Sequence, residues 1–190
     1  MLSLSYTSLC CILPNTIWQF KHKRKKMLSH MIWTYIFMIY VALALYVAEI
    51  GSVWDIISNG QITGKINTHP FAPGGLIPDI LNIIMFMPLG FLLPLIWVNF
   101  RRCSVVALTG LGFSALIEFL QLFNDRISDV DDLIMNTFGA CAGYFLWRIF
   151  GGVIKTGKPQ EMTKAEPITY IILGILGVCV FCNWSFVESL

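Results

Sequence analysis

Apolar stretches separated by short polar segments set the pattern of the chain. Four of them, and a fifth near the end, approach the length of about 20 residues that a helix needs to cross the hydrocarbon of a bilayer. They cover residues 31–50, 79–98, 104–122, 133–150 and 168–187. This pattern predicts an all-α, polytopic membrane bundle of about five transmembrane helices, which would form a single transmembrane domain over residues 27–190.

Composition supports a membrane protein. The chain has 190 residues, of which 56% are hydrophobic and 13% are charged. That balance is rare in soluble domains. The polar segments between the predicted spans are too short to form a separate soluble domain.

The basic residues predict the orientation, because Lys and Arg close to the spans are retained on the cytoplasmic side. If the basic cluster at residues 21–26 lies inside, every other Lys and Arg except Lys65 and Arg126 also falls inside. Most acidic residues then fall outside. We interpret the basic cluster as a topology signal that also contacts anionic lipid, and not as a nucleic-acid site.

Residues 1–26 are a doubtful leader. Their basic cluster follows the apolar residues, whereas a secretory signal carries its charge before them. Two interpretations stay open. The segment lies along the inner interface with Trp18 and Phe20 as anchors, or translation begins at Met27.

Two stripes of small and polar residues recur at helical spacing in the third and fourth spans. The stripes are Gly110, Ser114, Glu118 and Gln121 in the third span, and Asp132, Asn136, Gly139 and Gly143 in the fourth. In an antiparallel hairpin this register predicts that Glu118 faces Asn136 and that Ser114 faces Gly139. Small residues let membrane helices approach closely, and polar residues can then hydrogen-bond across them.

Acidic residues outnumber basic ones at the tip of this hairpin, where Arg126 is the only nearby cation. Asp129 is a candidate N-cap, and the two acids after it suit a helix N-terminus. Glu118 is left as the deepest acid. An acid inside a span is a functional-site hypothesis by default, and we expect Arg126 and Asn136 as its partners.

Two further residues are expected at the level of Asp132. Asn82 lies in the first turn of the second span, and Gln121 is expected to bridge to Asp132. The candidate ligand-binding residues are therefore Asn82, Glu118, Gln121, Arg126, Asp129, Asp132 and Asn136.

Cysteine and histidine usage predicts neither a metal centre nor a cofactor. Cys179 and Cys182 form a Cys-x-x-Cys, but within an apolar helix and without the strand–helix context of a redox motif. His69 is the only histidine expected on the outer side, so a His-based zinc site is not expected.

An ordered motif runs from the second span to the fourth. It reads Asn82-x5-Pro88-Leu89-Gly90-Phe91-x2-Pro94, then Ser114-x2-Ile117-Glu118-x2-Gln121-x4-Arg126-x2-Asp129-x-Asp131-Asp132-x3-Asn136-x2-Gly139-x3-Gly143-Tyr144. This motif resembles the VanZ-like family of bacterial membrane proteins, over a core of about residues 67–144. Asn67 to Phe71 is similar to the family's Asn-Leu-x-Pro-Phe element, with Thr68 and His69 between Asn67 and Pro70.

The resemblance implies a multi-pass protein of the bacterial cytoplasmic membrane with a role in the cell envelope. The founding member of the family is associated with resistance to teicoplanin, a lipid-tailed glycopeptide antibiotic. The resemblance supplies no reaction.

Three functions use the same residues differently. In the first, the outer polar site binds the head of an amphiphile, such as a lipid-linked envelope precursor, a phospholipid or a lipoglycopeptide. In the second, the protein is a small scaffold whose polar clamp only locks helices together. In the third, Glu118 is the general base of an enzyme in which Asp129 and Asp132 hold Mg²⁺ or Ca²⁺. We expect binding rather than catalysis, with membrane lipid and this ligand as partners and no nucleic acid.

Overall fold

The architecture is a bundle of α-helices, as the sequence predicts. The structure is a computed structural model that describes residues 2–21, 28–50, 52, 54, 57, 65–67, 76–123, 127–154 and 165–181. Its six described α-helices are α1 (Leu2–Lys21), α2 (Leu28–Val47), α3 (Leu76–Ile96), α4 (Cys103–Gln121), α5 (Val130–Phe150) and α6 (Ala165–Phe181). A 3₁₀ turn, Val98–Phe100, joins α3 to α4, and two short strands, β1 (Lys65–Asn67) and β2 (Ile127–Asp129), precede α3 and α5.

The apolar helices make this a multi-pass membrane protein. Among the described residues, three helices are long and apolar enough to cross a bilayer: α2 from His30 to Val47, and the whole of α3 and α4. Shorter apolar segments lie in α1 (Ser8–Ile17) and in α6 (Ala165–Val180). α5 is as long as α3 but carries acids in its first turn and Arg148 in its last.

The helix ends differ from the predicted ones by a few residues. α3 begins at Leu76, three residues before the predicted start, and includes Pro88 and Pro94. α5 begins at Val130, also three residues early, because Asp129 caps it. Hydropathy locates the apolar part of a helix, and the cap adds a polar first turn before it.

The contacts between α3 and α5 are the most extensive between any two described helices. The two helices run parallel, because Gly139 packs on Ile83 and Gly143 packs on Met87 one turn further along both. Each glycine lies against the backbone of α3, as expected where small residues allow close approach. The prediction that Gly139 faces Ser114 of α4 is therefore wrong, since α3 occupies that face of α5.

α1 packs on α6 and runs antiparallel to it. A Cβ at Gly177 would lie 3.1 Å from the carbonyl carbon of Cys10, and the side-chain amide of Asn15 donates to the carbonyl oxygen of Tyr170 at 3.2 Å. Asn15 is completely buried. Residues 2–21 of the leader segment therefore form a helix that packs alongside α6.

Some sequence predictions fall outside the described residues. They concern the side chains of Trp18 and Phe20, the basic cluster beyond Lys21, the loop after Asn67, and Arg126. These predictions stand as they were made.

Candidate functional site

Carboxylates meet where α4 ends and α5 begins. Asp129 is the N-cap of α5, as predicted, and its Oδ1 accepts a hydrogen bond from the backbone N–H of Asp131 at 3.0 Å. Asp131 and Asp132 follow in the first turn, where the helix dipole favours negative charge. Glu118 joins them from α4, because its Oε2 accepts from the backbone N–H of Asp129 at 3.0 Å. We call Glu118, Asp129, Asp131 and Asp132 the carboxylate cluster.

Two asparagines from other segments donate to this cluster. The Nδ2 of Asn82 donates to Oδ1 of Asp132 at 2.6 Å, which confirms that the two residues lie at one level. β1 pairs in parallel with β2 and places Asn67 opposite Asp129, so that Asn67 Nδ2 donates to Asp129 Oδ2 at 3.0 Å. The segment before α3, α3 itself and the tip of the α4–α5 hairpin are therefore tied together at one place.

Asn67 was not among the predicted site residues. Its signal was present in the sequence, since it opens the loop element that resembles the family motif. Strand pairing could not be read from three residues of β1, because a segment that short carries no period of its own.

Glu118 is buried, with 8% of its surface exposed, but its predicted partner is different. The Nδ2 of Asn136 donates to the hydroxyl oxygen of Ser114 at 2.9 Å, one helical turn below Glu118 on α4. The prediction that Glu118 pairs with Asn136 is therefore wrong. The register between α4 and α5 differs from the predicted one because Gly139 and Gly143 of α5 face α3. Gly110 of α4 therefore lies against Ala140 and not against Gly143.

Gln121 also has a different partner from the predicted Asp132. Its Nε2 donates to the carbonyl oxygen of Ala48 at 2.7 Å. Ala48 follows the last residue of α2, where carbonyl groups lack partners inside the helix. Gln121 thus joins the end of α4 to the end of α2 and does not reach the fourth predicted span.

Two buried acceptor atoms in this region have no hydrogen-bond partner among the described residues. They are Oδ1 of Asn136 and Oε1 of Gln121, on side chains that are only 2% and 5% exposed. An unpaired buried acceptor costs about 1–3 kcal/mol. Among the described residues, this end of the bundle therefore combines the carboxylate cluster with two unpaired buried acceptors.

The described arginines lie at the other end of the same helices. Arg101 and Arg102 directly precede α4, and Arg148 lies in the last turn of α5. Arg126, the cation expected beside Glu118, is outside the described residues. In the part of the chain that is described, the carboxylate cluster therefore has no arginine from α4 or α5 beside it.

Metal binding finds no support in the described residues, where no group of three or more His, Cys, Asp or Glu side chains is arranged to hold an ion. The two acids proposed as metal ligands are already engaged. Asp132 accepts from Asn82, and the two oxygens of Asp129 accept from Asn67 and from the α5 backbone.

A second buried polar group lies at the opposite end of the bundle and was missed by the sequence reasoning. Glu166, 2% exposed, accepts from Nε1 of Trp97 at 3.0 Å and from the hydroxyl of Tyr170 at 2.9 Å. Nε2 of His30 lies 3.5 Å from it. We call these four residues the Glu166 network. It ties α6 to α2 and to the end of α3, and the one signal for it was an acid at the start of an apolar span.

Comparison with known proteins supports the motif. The family described as VanZ/LLP1 matches the chain over residues 7–151, which is more than half of the chain and contains the whole carboxylate cluster. The match confirms the resemblance drawn from the sequence. No curated protein and no solved structure matches the chain.

Proposed function

Because the chain belongs to the VanZ/LLP1 family of membrane proteins, we propose that it binds the polar head of an amphiphilic cell-envelope molecule at the carboxylate cluster. The observation that carries this proposal is that, among the described residues, two unpaired buried acceptor atoms lie at the same end of the bundle as the carboxylate cluster. Candidate ligands are a lipid-linked envelope precursor and a lipoglycopeptide of the teicoplanin type, and the second would link the protein to resistance.

The proposed binding residues are those expected from the sequence. They are Asn82, Glu118, Gln121, Arg126, Asp129, Asp132 and Asn136, with Asn67 added by its hydrogen bond to Asp129. Glu118 is the deepest carboxylate, and Asn136 lies one turn deeper still. The described members of this set form a polar path from the start of α5 into the bundle.

The hydrogen-bond acceptors of the site determine which head groups it favours. Carboxylates accept their strongest hydrogen bonds from charged or hydroxyl donors, and an unpaired amide oxygen gains most from a donor that replaces lost water. A head group with amines or sugar hydroxyls supplies such donors. A head group that carries only phosphate acceptors would meet repulsion at the same place.

The apolar part of the ligand has a surface beside the cluster. Ile80 and Leu81 directly precede Asn82 on α3 and are 52% and 58% exposed. In a membrane protein such side chains face lipid. An amphiphile held by its head at Asp132 can therefore keep its tail in the bilayer along α3.

Scaffolding is the second candidate, and one observation favours it. Asn82, Asn67 and Glu118 each make a hydrogen bond that joins two different segments of the fold. Such bonds lock helices and loops together whether or not a ligand is present. Catalysis gains no comparable support.

The proposed location is the bacterial cytoplasmic membrane, with α2 to α6 as spans of one domain and the carboxylate cluster on the outside. Single cysteines in a cysteine-free background test this orientation. Cysteines at positions 65 and 125 should react with an impermeant reagent in intact cells, and those at 102 and 158 only after permeabilisation. Labelling of position 158 in intact cells would reject the five-span arrangement.

Replacing Glu118 with Gln tests binding against scaffolding. The amide keeps the shape and can still accept from the Asp129 N–H, so folding should persist, but the negative charge is lost. We expect the variant to reach normal membrane levels and to lose the retained envelope amphiphile, measured by mass spectrometry of lipids that copurify with the protein.

Glu166→Gln is the matched control. It removes a buried carboxylate at the opposite end of the bundle, where the amide oxygen can still accept a hydrogen bond, and should leave the ligand bound. If Glu118→Gln retains as much amphiphile as wild type at equal abundance, the binding role of Glu118 is wrong and the scaffold remains.

A further inference from the structure

An apolar groove of about 330 Å³ lies between α4 and α6, separate from the carboxylate cluster. Its walls include Val105, Leu108, Gly112 and Leu116 of α4, and Ile168 and Ile172 of α6. Leu108 is 68% exposed. Since α4 is apolar and long enough to cross a bilayer, this face meets lipid, and the groove is open to acyl chains.

The length of the groove matches one leaflet. Val105 and Leu116 are eleven positions apart, which in a helix of 1.5 Å rise per residue gives about 16 Å. Half of a hydrocarbon core of about 30 Å is about 15 Å. Val105 is in the first turn of α4 and Ile168 is in the first turn of α6, so the groove opens at the membrane edge where both helices begin.

An exposed arginine lies at this opening. Arg102 is the N-cap of α4 and precedes Val105, the first groove residue of that helix, by three positions. Its side chain is exposed. Its neighbour Arg101 is engaged elsewhere, since its guanidinium lies 5.5 Å from the Trp147 ring centroid. Arg102 can therefore meet a phosphate directly above the groove.

We propose that the groove holds one acyl chain of an anionic glycerophospholipid whose phosphate pairs with Arg102. The apolar walls bind the chain, and the arginine selects a head group with net negative charge. The lipid belongs to the leaflet on the side of Arg102, at the opposite end of α4 from the carboxylate cluster. This proposal does not depend on the proposed function.

Filling the groove tests the acyl-chain contact. A Cβ at Gly112 meets no atom within 4 Å, so Gly112→Leu adds its first side-chain carbon to open space and extends the rest of the side chain into the groove. Ala115→Leu is the matched control, because Ala115 is exposed on α4 and does not line the groove. The full chain is reconstituted with equal amounts of phosphatidylglycerol and phosphatidylcholine, and bound phospholipid is counted by native mass spectrometry.

Removing the charge tests the head-group contact. Arg102→Gln should keep the phospholipid but lower the preference for phosphatidylglycerol by about fivefold, the factor expected for one basic side chain near an anionic head group. Arg148→Gln removes an exposed arginine from the end of α5, which contributes nothing to the groove, and should leave the preference unchanged.

The outcomes separate this lipid from the amphiphile proposed above. Gly112→Leu should lose the phospholipid and keep the amphiphile, whereas Glu118→Gln should do the reverse. Equal phospholipid retention in Gly112→Leu and Ala115→Leu would overturn the groove site. So would a lipid-free wild-type dimer that Gly112→Leu makes monomeric, because a second copy would then fill the groove.

Discussion

Replacing Gly143 with Ala tests the contact between α3 and α5 at one of its closest points. A Cβ at this position would lie 2.8 Å from the carbonyl carbon of Met87 and 3.0 Å from the backbone nitrogen of Phe91. Both atoms belong to the backbone of α3, so no side chain can rotate away. One methyl group must therefore move one helix against the other.

The magnitude follows from that geometry. Adding a methyl group to a well-packed core costs about 1–3 kcal/mol, and a contact with backbone belongs at the upper end, about 3 kcal/mol. For a chain of this size each kcal/mol shifts the melting temperature by about 2–4 °C. We expect Gly143→Ala to lower it by about 6–12 °C.

Gly112→Ala is the control, because it adds the same methyl group to a helix without meeting any atom. Helix propensity alone favours Ala over Gly by up to about 1 kcal/mol, so this variant should melt at the wild-type temperature or slightly above it. Both variants are purified in one detergent and heated while tryptophan fluorescence and monodispersity are followed.

Equal melting temperatures for the two variants would refute the reasoning. That result would mean that α3 and α5 do not meet through the backbone at Gly143, and the parallel glycine-mediated packing of these helices would have to be abandoned.

Two further predictions concern the helix register and the Glu166 network. Cysteines replacing Ser114 and Asn136 should crosslink on oxidation, because these side chains hydrogen-bond at 2.9 Å, whereas cysteines at Ser114 and Gly139 should not; the reverse pattern would restore the register expected from the sequence. Glu166→Ala should lower the free energy of unfolding by about 2–6 kcal/mol, since it leaves two buried aromatic donors without an acceptor at about 1–3 kcal/mol each, and Glu166→Gln should recover part of this loss in the same thermal assay, because its amide oxygen still accepts.

The sequence predicted what depends on local pattern. Hydropathy located the apolar helices, because the bilayer requires a fixed apolar length whatever the packing partner. The N-cap at Asp129 and the shared depth of Asn82 and Asp132 were also predicted correctly, since both depend only on how far a residue lies from a helix end. These predictions needed no knowledge of which helices touch.

The predicted register of the hairpin was wrong because the prediction assumed that α4 and α5 pack only against each other. From the sequence, the glycine face of α5 could pack on α3 as well as on α4, because a stripe of small residues does not specify which helix it packs against. Because Gly139 and Gly143 pack on α3, Asn136 donates its hydrogen bond to Ser114 and not to Glu118. Gln121 and Ala48 are 73 positions apart, and no periodicity relates residues so far apart.

The parallel pairing of α3 and α5 has a consequence for biogenesis. Helices that run parallel cannot be consecutive spans, so α4 must be made before α5 can join α3. Asn82 leaves the ribosome 50 positions ahead of its acceptor Asp132, a delay of about 3–10 s at 5–20 residues per second. During that interval α3 lies in the membrane before the Asn82 amide has reached Asp132 and before Ala140 of α5 has covered the backbone at Gly90. An insertase or chaperone that shields α3 until α5 arrives would act in this interval, and slowing translation between the two helices would lengthen the exposure of the nascent chain to membrane proteases.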